Sequence, residues 1–138
     1  MFRSRNTIEK RKYKSEIKVI EEEINRSQRF DYNFCVLVVD ISHSAPRGLS
    51  KVLPGNVLSF HLAQKYVRSY DHIIGPHRRR YYIVSSQTDK KGASAVKKRI
   101  YNLAREYNWG NLSIGIAVYP EDGNTPQALL SKAISELS

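Results

Sequence analysis

Residues 112–133 read LSIGIAVYPEDGNTPQALLSKA, and they spell a strand, a stop and a helix in that order. Leu112 to Tyr119 is apolar and rich in β-branched residues, with one glycine inside, which is strand composition. Pro120-Glu121-Asp122-Gly123 ends the strand, since proline donates no ladder hydrogen bond and glycine favours a turn. A last short helix then runs from Thr125 to Leu137 and turns Leu129, Ala133 and Leu137 inward.

Working outward, Phe34 to Ile41, FCVLVVDI, is a continuous apolar run that suits a central strand buried on both faces. Cys35 is a core residue of that strand. Asp40 sits near its C-terminal end, where open α/β sheets place ligand or metal chemistry. An Asp that caps the following turn is the alternative, and with no second acid beside it the residues favour the cap. Residues 68–82, RSYDHIIGPHRRRYY, read as a helix end, a strand, a sharp turn at Gly75-Pro76, an arginine cluster and a second strand continuing through Ile83-Val84. That is a β-hairpin with three arginines near its tip. Adjacent like charges repel, so fold stability alone is a poor reason for them.

The remaining elements cover this sheet. Tyr13, Ile17, Ile20 and Ile24 recur at helical spacing, with Lys18 and Glu21-Glu22-Glu23 between them, and predict an amphipathic helix over residues 7–29. Its charged side reads as a solvated face, with a helix-mediated dimer as the alternative. Ser42 to Asn56 holds Pro and Gly without a clean period and reads as a loop. Leu58, Leu62, Tyr66 and Tyr70 share one face of a helix over 57–70, where His61 has no metal-binding partner at ligand spacing. After a polar turn over 85–92, Val96, Ile100, Leu103, Ala104 and Tyr107 mark a helix whose outer face carries Lys97, Lys98 and Arg105. The order is helix, strand, helix, strand, strand, helix, strand, helix, an α/β (α+β) arrangement with a mixed central sheet flanked by helices.

Composition narrows the function. The chain has 138 residues, 41% hydrophobic and 26% charged, enough for one folded domain with a real core. No apolar run approaches the roughly 18 to 20 residues of a membrane span, and the basic N-terminus lacks the apolar segment of a secretory signal. The single cysteine excludes an internal disulfide. A soluble cytoplasmic protein is expected. The net charge is +10, and residues 61–110 hold eleven basic against three acidic groups, so the middle of the chain is its anion-attracting part.

The motifs resemble a family. The segment from Leu112 to Ala133 is similar to the C-terminal part of GGDEF domains, the diguanylate cyclase fold, where a "SIG" strand precedes a "YPEDG" turn and a helix beginning near "LL". VLVVDIS resembles the family's "LLLLDID" strand, and NRSQRFDYN its "RARRYGRP" lead-in. The resemblance covers nearly the whole chain, with residues 42–60 poorly matched. It implies a GGDEF/nucleotidyl-cyclase-like sheet of about five strands, residues 1–29 as a lead-in helix and 30–138 as a degenerate GGDEF domain forming one unit with it.

In that family the hairpin reads Gly-Gly-Asp/Glu-Glu-Phe, and the matching residues are His77, Arg78, Arg79, Arg80 and Tyr81. The glycines admit a nucleotide phosphate because they carry no Cβ; His77 and Arg78 do. The acidic positions hold Mg²⁺, which takes oxygen ligands; Arg79 and Arg80 offer none. Asp40 matches the first metal-binding aspartate, but Ser42 stands at the next acidic position, and Ser44 to Leu49 replaces the "FKxxND" pattern that carries the guanine-recognising Asn. Two-metal phosphoryl transfer needs carboxylates from both elements. The resemblance therefore implies no cyclase activity, no metal beyond the lone remnant Asp40, and no cofactor.

Arg68-Ser69-Tyr70-Asp71 matches the family's RxxD motif, which lies five residues before the signature and docks cyclic di-GMP as inhibitory product. An arginine fork suits guanine O6 and N7, and an aspartate accepts from guanine N1 and N2 groups. Two function classes follow. In the first, the domain is a catalytically inactive cyclic di-GMP receptor working through Arg68 and Asp71, with a signalling protein as partner and a ligand-bridged homodimer as one form. In the second, the basic surface of Arg78, Arg79 and Arg80 holds an acidic protein or, less favoured, nucleic acid. Tyr81 and Tyr82 lie in a strand and read as sheet packing rather than base-stacking platforms. No membrane is expected as a partner, and input is expected from another molecule, since these residues include no sensory domain.

Overall fold

The computed structural model describes residues 9–42, 71–106 and 111–137. The expected loop over 42–56, apart from Ser42, and the helix over 57–70 with His61 and Arg68 lie outside the described residues. The described residues form seven elements: α1 (Lys14–Phe30), β1 (Phe34–Asp40), β2 (His72–His77), β3 (Arg80–Ser85), α2 (Lys90–Glu106), β4 (Ser113–Tyr119) and α3 (Pro126–Ser135). The α+β architecture expected from the sequence is the one observed. Among the described residues the sheet has four strands in the order β2-β3-β1-β4, and every neighbouring pair is antiparallel. The apolar run of β1 signals two covered faces, not strand direction, and helices cover both faces here.

Strand alternation sorts the core into two halves. Cys35, Leu37 and Val39 of β1 point with Tyr81 and Ile83 toward α2, which contributes Ala93, Ile100, Leu103 and Ala104. Phe34, Val36 and Val38 point with Tyr82 and Val84 to the other side, where Ile20 and Ile24 of α1 and Leu129, Leu130 and Ala133 of α3 close over them. Gly115 is the contact point of α3 and β4. A Cβ built there would lie 1.8 Å from the carbonyl oxygen of Ala133, so the helix packs directly on strand backbone. Thr125 caps α3 by accepting the Ala128 N–H at 3.1 Å, with Pro126 in the first turn, as helix starts favour.

Two expectations need correction. The lead-in helix begins at Lys14 rather than residue 7, and its inward face is not wholly apolar. Glu16 and Glu23, seven residues apart and so on one face, are each 1% exposed alongside Ile20 and Ile24; Glu23 does not belong to a solvated acidic run. The polar turn over 85–92 is likewise partly internal, with Ser85, Ser86 and Thr88 buried. No helix among the described residues is long and apolar enough to cross a membrane.

Candidate functional site: an arginine hairpin tied to the first strand

The hairpin does not reverse at Gly75-Pro76. β2 continues through both residues to His77, which pairs with Arg80, and the register shifts between Ile74 and His77. Pro76 is tolerated because β2 lies at an edge of the described sheet, where a missing N–H costs no ladder bond. Gly75 is needed in this bulge, at φ 123°, since a Cβ there would lie 2.6 Å from the Arg80 carbonyl oxygen. The reversal is made by Arg78 and Arg79, with φ of 57° and 62°. Positive φ at both positions of a two-residue loop is the type I′ geometry, which Asn and Gly ordinarily fill because it costs them least. The sequence signal for this turn was absent because arginine is not a turn residue.

The turn exposes Arg78 and Arg79 to solvent and points Arg80 back onto the sheet. Arg80 stands opposite Asp40 in the β1–β3 register, and its Nε donates to Asp40 Oδ2 at 2.8 Å. Asp40 Oδ1 accepts the Ser42 N–H at 2.8 Å, so the aspartate also caps the turn after β1. The Ile41 N–H donates to the Arg79 carbonyl at 2.9 Å, adding a backbone bond beside the ion pair. Burial would raise the Asp40 carboxyl, but the Arg80 and Ser42 hydrogen bonds and the guanidinium charge outweigh it and hold it below its ordinary value of 3.8. The pair lines a cleft of about 550 Å³, together with Ser42, Asn111, Ser113 and Leu137. Among the described residues no cluster of three His, Cys, Asp or Glu side chains could hold a metal ion, and the one carboxylate of the cleft, Asp40, is paired with a guanidinium.

His77, just before the turn, reaches the other way. Its Nδ1 lies 3.1 Å from Glu16 Oε2, which ties the hairpin to α1. The second oxygen of Glu16 is buried without a hydrogen-bond partner. Nothing in the sequence marked this contact beyond the placement of Glu16 on the apolar face of the helix.

Asp71 lies at the opposite end of β2 from the arginines. Its Oδ1 accepts the Ser86 N–H at 3.0 Å and its Oδ2 accepts from the Ser85 hydroxyl at 3.3 Å. Ser86 in turn donates from its hydroxyl to Glu23 Oε2 at 2.7 Å, and the Tyr32 hydroxyl donates to the same oxygen at 2.7 Å. The carboxylate is thus fixed in position by the end of β3 and, through Ser86, by α1. Arg68, the other half of the motif, lies outside the described residues, so Asp71 and the arginine turn are the two parts of the candidate site that the structure places, at opposite ends of one strand.

No family profile matches the sequence, and no curated protein matches it. Solved structures do. A sensory box/GGDEF family protein from Caulobacter crescentus CB15 superposes with a TM-score of 0.70 at 17% identity, over 90% of this chain and 88% of that one. A DGC protein from Thermotoga maritima gives 0.66 at 14%, over 88% and 90%. A microbial GGDEF domain studied for its interaction with cyclic di-GMP gives 0.58 at 15%, over 86% and 82%. Identities this low speak to architecture alone. The antiparallel sheet, the hairpin at its edge and the helices on both faces give this chain the fold of a GGDEF domain.

Proposed function

We propose that this GGDEF-like domain makes no cyclic di-GMP but binds it, as a cytoplasmic receptor that passes ligand occupancy to a signalling protein. The observation that carries the reading is the Arg80–Asp40 ion pair. Where the family resemblance places metal-binding carboxylates, the chain puts an arginine against its one aspartate, and a guanidinium cannot organise phosphates around a metal ion. Binding of the product needs none of that chemistry. It needs an arginine fork and a carboxylate, and Asp71 is held by Ser85 and Ser86 while Arg68 precedes it by three residues in sequence. The cyclic di-GMP interaction of one fold neighbour supports the ligand class.

The test is calorimetric titration with cyclic di-GMP at near-physiological salt, run on the wild type, Arg68→Ala and Asp71→Asn, beside a pyrophosphate-release assay with GTP and Mg²⁺. The expected result is micromolar or tighter binding lost in Arg68→Ala, with no pyrophosphate released by any of the three. A folded wild type that gives no heat, or that turns over GTP, overturns the proposal.

A second reading rests on a different observation, the exposure of Arg78 and Arg79 on a turn whose backbone they fit poorly. Two guanidiniums so presented suit an acidic protein face. That reading predicts partner binding that weakens steeply with salt and ignores Arg68.

A further inference from the structure

Apart from Glu106 at its end, helix α2 carries only positive charge on its exposed side. Lys91, Lys98 and Arg105 are exposed and stand seven residues apart, which puts them nearly in line, about 10.5 Å from one to the next along the axis. Ser94, Ala95 and Asn102 fill the space between them, and exposed Lys90 and Arg99 flank the stripe. Glu106, at the very end, is the helix's only acidic residue. Among the described residues no carboxylate forms an ion pair with any of these cations; Arg105 donates to the neutral Asn102. Two lysines occupy the first turn, where the helix macrodipole disfavours a cation.

Solubility does not ask for this. Helix α1 has the same length and mixes Lys14, Lys18, Glu21, Glu22, Arg26 and Arg29 on its exposed side. A stripe of cations without counter-charges is complementary to a repeating anion. A protein partner would call for an apolar or aromatic core, and interface cores are depleted in lysine. An anionic bilayer would be joined by apolar anchors on the same helix. The outer face of α2 has neither; among the described residues the one large exposed hydrophobic is Phe30, on α1. Lysine and arginine interleaved with Ser and Asn is the side-chain set that contacts sugar-phosphate backbones, and the absence of aromatic side chains in the stripe leaves nothing to stack on bases. We infer that the outer face of α2 binds the phosphodiester backbone of nucleic acid, without reading its sequence. This surface is separate from Arg68 and Asp71, and the inference stands whether or not the chain binds cyclic di-GMP.

The experiment is fluorescence anisotropy with duplex DNA and duplex RNA of about 20 base pairs, several sequences of each, over a salt series. About five phosphate contacts predict a slope of log K against log salt near −4 to −5, the same for every sequence of one duplex type. Lys91→Gln/Lys98→Gln/Arg105→Gln, at exposed positions where glutamine keeps the helix, is expected to make the slope shallower by about 2.7 and to weaken binding at least about tenfold at low salt. Arg78→Gln/Arg79→Gln is expected to leave the slope in place. Tighter binding by either duplex supports the inference and names the source of the phosphates. It is overturned if neither duplex binds, if the folded triple variant keeps the wild-type slope, if the hairpin variant is the one that loses it, or if phosphatidylglycerol vesicles bind and duplexes do not. Cyclic di-GMP titration of the triple variant keeps the two proposals apart, because its heat is expected to match that of the wild type.

Discussion

Arg80 shows how one residue type changes what a position can do. Its guanidinium is permanently charged and presents Nε–H to Asp40 Oδ2 at 2.8 Å. The side chains are 26% and 14% exposed, so water screens part of the attraction, and Arg80→Ala is expected to cost about 1 kcal/mol. A urea denaturation midpoint unchanged from the wild type would count against that ion pair. The same variant has a pH signature. Asp40 titrates lower when folded than when unfolded, so its contribution is present above the ordinary carboxylate range and is lost as pH falls through the folded value. Arg80→Ala should therefore differ most from the wild type near neutrality and converge with it in acid. The sequence showed that arginines fill the positions where acids were expected. It did not show that one of them turns back onto Asp40, because that depends on a cross-strand register that only the type I′ turn fixes.

At the level of elements, the strand-turn-helix of residues 112–133 was the most legible part of the chain, since proline, glycine and an N-capping threonine mark its joints. Gly115 was visible as a glycine, but its reason was not: the carbonyl of Ala133 presses on the strand backbone at that point. Gly115→Ala is expected to push α3 off the sheet and cost about 3 kcal/mol, the upper range for an overpacked core. Thermal denaturation reads this directly, and a melting temperature equal to the wild type's would mean that α3 packs elsewhere. The lead-in helix was legible as amphipathic yet misread on its charged side. Burial of Glu16 and Glu23 goes with partners outside the helix, His77 for the first and Ser86 and Tyr32 for the second. Helical periodicity sees only near neighbours, so such polar contacts across elements stay invisible until the elements are packed.

Over the whole molecule, the two half-cores meet at the sheet, and Tyr82 reports on the one beneath α1 and α3. Burial pushes its hydroxyl up to about 12, with the charges of Tyr13 and Glu16 adding to the rise and Arg80 opposing it. The folded value lies above the unfolded one of 10.0, so the contribution is complete below pH 10 and is lost as pH rises toward about 12. Roughly 2 to 3 kcal/mol should disappear across that window. Tyr82→Phe, followed by urea titrations from pH 9 to 12, should lose correspondingly less stability across it, and an alkaline limb identical to the wild type's would show that the hydroxyl is wet. The fold was readable in the sequence because hydrophobic pattern and turn residues agree along the chain, whereas the site was only half readable because its parts come from three elements. Among those parts, the Asp40–Arg80 pair has a consequence for how the molecule meets its surroundings. A carboxylate that must recruit its counter-ion from solution is sensitive to ion supply and to chelators. Asp40 carries its counter-ion by inheritance, so the charge balance of this corner is written in the gene, and mutation or acid can unset it.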